Sequence, residues 1–161
     1  MYAPSTYRML AKTRLRRFTG RLCAALAPNG AEENGLMTAE DVYRLNLDAD
    51  LVVLSACRSG AGRVSGDGIA AFARAFIYAG TPSVVVSMWD VPDHATGLLV
   101  PAFYRAWLAG ASKSRALRSA QLEMLRNLRA GRITAATAAG PIVLPEHPIL
   151  WAGFSLIGEP D

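Results

Sequence analysis

The chain has 161 residues, of which 52% are hydrophobic and 19% are charged. This length and composition fit one globular domain with a sizeable core and argue against a disordered chain. The net charge of +4 comes largely from the cations that precede the first acid, Glu32. Such a basic segment is more often a solvated helix face than a nucleic-acid site, and no stacking aromatics or zinc or RNA-binding signature accompany it. Nucleic acid is therefore not an expected partner.

The cysteine count and the apolar runs bear on the compartment. Cys23 and Cys57 are the only cysteines, which is too few for a disulfide framework and fits a reducing compartment. No run reaches the roughly 18 apolar residues of a membrane span, and the arginine-rich start lacks the apolar core of a secretory signal. Metal-ligand spacing is absent as well. We expect a cytoplasmic protein with no membrane association, no metal and no cofactor.

The first part of the chain predicts two helices and a strand. Residues 6–26 combine arginine, alanine and leucine at helical spacings, which predicts a helix. Thr38 opens the sequence T-A-E-D, a capping box that predicts a short helix over 39–45. The apolar run LVVLSA, 51–56, then predicts a buried strand.

The middle of the chain continues with a helix and a second strand. A glycine-rich loop leads into IAAFARAFIYAG, 69–80, which predicts a well-buried helix ended by Gly80. The run SVVVSMW, 83–89, predicts a strand without polar alternation. This pattern is typical of a parallel sheet that helices cover on both faces.

The last part predicts two helices, a connection and a strand. Asp93 could cap a helix that runs to about 109, and Ser112 begins another that runs to about Arg129. In the second of these helices we expect four leucines to face the core: Leu117, Leu122, Leu125 and Leu128. Residues 131–148 read as a connection, and 149–158 as a final strand.

Strands that alternate with helices predict an α/β fold with a mainly parallel sheet flanked by helices. Only about three strands are evident, whereas a typical sheet has about five or six. We therefore expect a partial domain with one bare sheet edge, either part of a larger domain or completed by a partner chain.

Cys57 is the leading chemical candidate because it directly follows the first predicted strand. In a parallel sheet, ligands and catalytic groups collect beyond the carboxyl ends of the strands. Arg58 and the amino end of the helix from about Gly68 would favour the thiolate, which is the reactive form. The same position suits an inert, half-buried thiol, so the residues alone leave both interpretations open.

A nucleophilic cysteine needs a general base, usually a histidine. In VPDHAT, His94 follows the second strand and would share a rim with Cys57 if the two strands were neighbours, although a surface position in the first turn of a helix is the more common role of such a histidine. His147 precedes Pro148 at the start of the final strand and reads as a structural loop residue.

Nucleotide binding is a lesser alternative. A strand leads through GAGRVSGDG into a helix, and Asp90 follows Gly68 at the distance of a dinucleotide fingerprint. However, the glycines at 60, 62 and 66 read G-x-G-x-x-x-G and spread over a long loop where a tight phosphate turn is needed.

Several motifs occur together in a fixed order: SACRSG, GDG, AFARAFIYAG, SMWDV and HPILWAGFSLIG. Together they resemble the CHAT domains, caspase-like cysteine peptidases related to separases and gingipains and often found behind tetratricopeptide repeats. The resemblance covers 36–158 and leaves the basic segment 1–30 unmatched. It implies a caspase-like three-layer sandwich, present here as a carboxyl-terminal portion, with Cys57 at the nucleophile position.

The resemblance does not extend to the base. The family's base is the final histidine of an H-x-A-x-H-G-like motif on a preceding strand, and residues 1–56 contain no histidine. At His94 the family usually shows an acid, so His94 is only a substitute base. Related peptidases bind a basic substrate side chain with an acid near the nucleophile loop, which implies substrate binding by Asp67; a helix N-cap explains that residue too. Trp89 and Asp90 could line the same cleft.

We therefore expect a CHAT-like domain with little or no peptidase activity by itself. The expected partners are a protein or peptide substrate, an upstream CHAT fragment, tetratricopeptide repeats or further copies of the chain. The alternative is a non-catalytic protein-interaction module in which Cys57 is a relic. An in-frame H-x-A-x-H-G motif in the DNA upstream of Met1 would restore a complete dyad.

Overall fold

The computed structural model describes residues 39–55, 66–137 and 140–161. In chain order, its elements are α1 (Ala39–Tyr43), β1 (Val52–Leu54), α2 (Gly66–Tyr78), β2 (Ser83–Ser87), α3 (Asp93–Leu108), α4 (Lys113–Arg129), β3 (Thr134–Thr137), β4 (Gly140–Val143), α5 (Pro148–Trp151) and β5 (Phe154–Gly158). Two compact units divide these residues. The first unit holds the residues up to Asp90 and Ser155–Glu159, and the second holds Val91–Phe154 and Pro160–Asp161.

The sheet of the first unit has the strand order β1-β2-β5. β1 and β2 are parallel, with Val53 opposite Val85. β5 is antiparallel to β2, since the end of β5 lies beside the beginning of β2. There Glu159 N donates to Pro82 O at 3.0 Å, and Ser83 Oγ donates to Glu159 O at 2.8 Å. The predicted α/β fold with three evident strands is confirmed, and the sheet is mixed.

One hydrophobic cluster joins the helices of the first unit to its sheet. Its fully buried side chains include Val42 of α1, Phe76 of α2 and Val52, Val84 and Val86 of the strands. All five residues of β2 are buried, as expected for the central strand of a layered sheet. This packing fixes α2, the element that follows the Cys57 segment in the chain.

Gly80 ends α2 as the sequence predicts. Its φ is 114°, a left-handed conformation that glycine adopts without steric cost. Gly80 N donates to Ile77 O, and Thr81 N donates to Phe76 O, which is the hydrogen-bond pattern of the Schellman motif. The motif turns the chain directly from α2 into β2.

The second unit is built on α3 and α4, whose observed bounds agree with the predicted helices. Pro92 occupies the N-cap of α3, so Asp93 is the first helical residue and not the cap. Among the leucines predicted to face the core, Leu117, Leu125 and Leu128 are buried. The prediction was wrong for Leu122, which is 42% exposed. Helical periodicity places a residue only to within part of a turn, and Leu122 lies at the margin of the buried stripe.

The prediction for residues 131–158 also needs correction. A β3–β4 hairpin occupies most of the predicted connection, with Ala135 opposite Ile142. The predicted final strand is divided into α5 and β5. Pro148 begins α5, because proline suits the first helical position, where an N–H has no intrahelical partner.

Two hydroxyls near the start of β2 offer a matched test of buried hydrogen bonding. Thr81 is fully buried and its Oγ1 has no hydrogen-bond partner within the described part of the chain, whereas Ser83 Oγ donates to Glu159 O. We expect Thr81→Val to raise the free energy of unfolding by about 1 kcal/mol, and Ser83→Ala to lower it by about 1 kcal/mol. Urea denaturation measures both, and a loss in Thr81→Val equal to that in Ser83→Ala would contradict the assignment.

Candidate functional site

The candidate site is the sheet edge where β1 and β2 end. The strands are parallel neighbours with Leu54 opposite Val86, so the chain leaves both strands on the same side. Neighbouring strands lie about 4.8 Å apart, so the last residues of β1 and β2 lie side by side. The sequence predicts that His94 shares a rim with Cys57 if these two strands are neighbours. The strands are neighbours, and the closeness of His94 to Cys57 stays a prediction.

The segment after β1 carries the predicted nucleophile. Ser55 is half-buried, and Cys57 follows it by two positions, outside the described residues. Cys57 as nucleophile therefore stays a prediction. α2 begins at Gly66, which makes Asp67 its second residue. The structure describes the helical backbone of Asp67 but not its side chain. The structure thus fixes where the chain leaves β1 and where it enters α2.

The segment after β2 presents an apolar surface beside a carboxylate. β2 ends at Ser87, two residues before the predicted end. Met88 and Trp89 are 41% and 40% exposed, and Asp90 is exposed. The sequence pattern assigned Met88 to the predicted strand SVVVSMW and not to the site. The exposure of Met88 beside Trp89 makes it a candidate substrate contact.

The two histidines have different settings. His94 is the second residue of α3 and its side chain is exposed; it belongs to the second unit, whereas Trp89 and Asp90 belong to the first. His147 precedes α5, and its Nδ1 accepts a hydrogen bond from Ile149 N at 3.2 Å. His147 is therefore the N-cap of α5, in agreement with the structural role that the sequence predicts.

An ion pair holds the segment before His147 against α4. Arg129 Nε and Nη2 each donate to a Glu146 carboxylate oxygen at 2.8 Å. The hydrogen bond from Arg129 lowers the pKa of the Glu146 carboxyl. This paired geometry orients the chain as it enters α5.

Removal of the His147 cap is expected to destabilise α5. His147→Ala should lower the free energy of unfolding by about 1 kcal/mol, because Ile149 N loses its side-chain acceptor. His147→Asn retains an oxygen acceptor, so its free energy of unfolding should fall by less than half as much as that of His147→Ala. Urea denaturation of the two variants checks the prediction, and equal losses would contradict a capping role.

The described residues also bear on metal binding and on membrane insertion. Over 39–55, 66–137 and 140–161, no group of three or more His, Cys, Asp and Glu side chains could hold a metal ion. Within those ranges, every helix is too short or too polar to cross a membrane.

Comparisons with known proteins agree with the motifs. The family model of the CHAT domain matches residues 15–159. Tetratricopeptide repeat protein 28 of mouse is 38% identical over 124 residues, and the human protein of that name is 37% identical over the same length. Each alignment covers 77% of this chain but only 4% of the relative, so the chain spans a small part of these relatives' length. No solved structure matches significantly. The family match covers most of the sequence, and the chain belongs to the CHAT domain family.

Proposed function

We propose that this chain carries the nucleophile half of a caspase-like cysteine peptidase site and that the 161 residues alone have little or no peptidase activity. The observation that carries the proposal is the common edge of β1 and β2. Cys57 follows one strand, and the exposed Trp89 and Asp90 follow the other. A thiol beside an apolar surface and a carboxylate suits attack on the carbonyl of a bound peptide.

The base is the missing part. The sequence contains two histidines. His147 Nδ1 already accepts the Ile149 N–H, and His94 occupies a position where the family usually shows an acid. Loss of a dyad base commonly costs several orders of magnitude in rate. We therefore propose that a second chain or an upstream CHAT fragment supplies the histidine.

Fluorogenic peptides that end in arginine or leucine before the cleaved bond test the activity. We expect the purified chain to cleave neither peptide faster than its Cys57→Ala variant. Robust turnover that Cys57→Ala abolishes would overturn the proposal. If His94→Ala abolished that turnover too, His94 would be the base.

If cleavage activity is found, the same peptides also test the role of Asp67. We propose that the Asp67 carboxylate binds a basic side chain before the cleaved bond, as an acid does in related peptidases. Any cleavage activity, in the chain alone or with an added partner, should then favour arginine over leucine and lose that preference in Asp67→Asn. An unchanged preference would leave Asp67 as a helix cap.

A second candidate function is a non-catalytic protein-interaction module. The relatives' name favours it, since both are tetratricopeptide repeat proteins and repeat arrays provide extended binding surfaces. Iodoacetamide labelling of Cys57 in a Cys23→Ser background separates the two functions. Fast labelling at neutral pH indicates a maintained thiolate setting, and a rate equal to that of the unfolded chain indicates an ordinary thiol.

The assembly and compartment complete the proposal. Native mass spectrometry should recover the chain with a partner that supplies the base, or as an oligomer. A stable monomer with no partner recovered from cells would remove the basis for a shared site. The low cysteine content fits the cytoplasm, which fluorescence microscopy of the tagged chain would check.

A further inference from the structure

Within the described residues, the β3–β4 hairpin of the second unit has one strand edge that no other strand covers. Thr137 lies opposite Gly140 and Ala135 opposite Ile142, and Leu144 N donates to Ile133 O at 2.9 Å. Hydrogen-bonded and non-bonded pairs alternate in an antiparallel ladder. The backbone groups of Thr134 and Ala136 therefore point away from β4.

The two outer edges of this hairpin differ. On β4, Pro141 lies opposite Ala136, so its backbone nitrogen faces outward and carries no hydrogen to donate. On β3, Thr134 and Ala136 both keep an outward N–H and C=O, and both residues are exposed. Within the described residues the hairpin forms a sheet of only two strands, and an isolated pair of strands is marginally stable in water. A third strand on β3 would satisfy these groups.

A groove adjoins this open edge. It has a volume of about 520 Å³ and is lined by residues of α3 and α4 together with Ile133 and Thr134. Thr134 of β3 is part of its lining, and no described β4 residue is. Its apolar lining includes Leu98 and Met124, which gives alternate side chains of an extended peptide a surface to contact.

The charges along the groove favour an acidic ligand. Arg105 donates to Glu123 Oε1 at 3.0 Å, and these two groups neutralise each other. Arg132 donates instead to the amide oxygen of Asn127, at 3.1 Å, so this hydrogen bond leaves its charge uncompensated. The lining therefore contains two guanidinium groups and one carboxylate.

We propose that this groove binds an extended peptide segment, which adds as a third strand to the outer edge of β3 and directs an acidic side chain toward Arg132. Backbone bonds to Thr134 and Ala136 would provide affinity, and the apolar lining with Arg132 would provide specificity. The site belongs to the second unit and uses none of the residues assigned to peptide cleavage.

Display selection of random peptides of about eight residues, long enough for one strand, tests the proposal on the full chain. We expect enriched peptides to contain alternating β-branched residues and one Asp or Glu. Ala136→Pro should weaken their binding about tenfold or more, because it removes an outward donor without breaking the β3–β4 ladder. Ala135→Pro is the contrasting variant, since its N–H belongs to that ladder and its loss should unfold the hairpin.

Two measurements on the selected peptide sharpen the test. Hydrogen exchange should slow at the amides of Thr134 and Ala136 when the peptide binds. Arg132→Glu should weaken binding of the acidic peptide about tenfold or more. A peptide in which lysine replaces the acidic residue should bind the Arg132→Glu variant well again.

Three outcomes would overturn the proposal: no enriched peptide, equal affinity for wild type and Ala136→Pro, or a homodimer that Ala136→Pro dissociates. The last would make a second copy the occupant. A circular dichroism spectrum and melting temperature of Ala136→Pro close to those of the wild type show that the hairpin variant is folded.

Discussion

Gly158→Ala is expected to lower the free energy of unfolding by about 3 kcal/mol or more. Gly158 ends β5 with a φ of 101°, a conformation that costs an L-residue about 1–2 kcal/mol. An added Cβ would also collide with the carbonyl oxygen of Pro82 and approach Ser83 Cα to 3.2 Å. Both obstacles are backbone atoms, so no side chain can move aside. The strand end must shift, and this threatens the bond from Glu159 N to Pro82 O.

Gly110→Ala is the matched control. Gly110 has a similar φ of 98°, but an added Cβ would meet no atom within 4 Å. Gly110→Ala should therefore lower the free energy of unfolding only by the conformational cost, about 1–2 kcal/mol. Urea denaturation of both variants isolates the collision as the difference between them. Equal losses would mean that the end of β5 adapts without cost.

Local patterns in the sequence were sufficient for most elements of the fold. The valine runs of β1 and β2 have no polar alternation, which indicated strands buried on both faces. Gly80 and Gly110 marked helix ends because their left-handed backbone is favourable only for glycine. These signals depend on residues close together in the chain, so they could be recognised without the structure.

Other features depend on contacts between distant residues. The antiparallel direction of β5 is set where Glu159 meets Pro82, and no local pattern encodes it. The β3–β4 hairpin contains small and exposed residues, such as Ala136, so it lacked the apolar alternation of a strand. α5 was missed because four residues are too few for helical periodicity, although Pro148 after His147 is a helix-start signal.

The candidate site likewise combines features that local sequence patterns predict with features that depend on distant contacts. The sequence placed Cys57 and Trp89 after two strands, and the structure shows that these strands are parallel neighbours. The family resemblance, and not residue spacing, assigned Cys57 its role. No pattern in the chain identifies a general base, so the proposed function depends on a partner experiment.

Phe76→Ala is expected to cost about 3–5 kcal/mol, the usual range when a buried phenylalanine is removed from a core. The Phe76 side chain is 1% exposed and belongs to the cluster that joins α2 to the sheet. It also packs edge-to-face on Phe72, with ring centroids 5.3 Å apart. Its removal would leave a cavity between α2 and β2, and the backbone cannot close it without disrupting the Schellman turn at Gly80.

Tyr78→Ala, on the same helix, controls for helix propensity and aromatic loss. Tyr78 is 77% exposed and packs edge-to-face on Tyr43, a pair worth about 0.5–1.5 kcal/mol. Urea denaturation should therefore separate the two variants by about 1.5 kcal/mol or more. α2 follows the Cys57 segment, so Phe76→Ala should also bring the labelling rate of Cys57 close to that of the unfolded chain while Tyr78→Ala leaves it unchanged. A labelling rate that neither variant alters would mean that the setting of Cys57 does not depend on how α2 packs against the sheet.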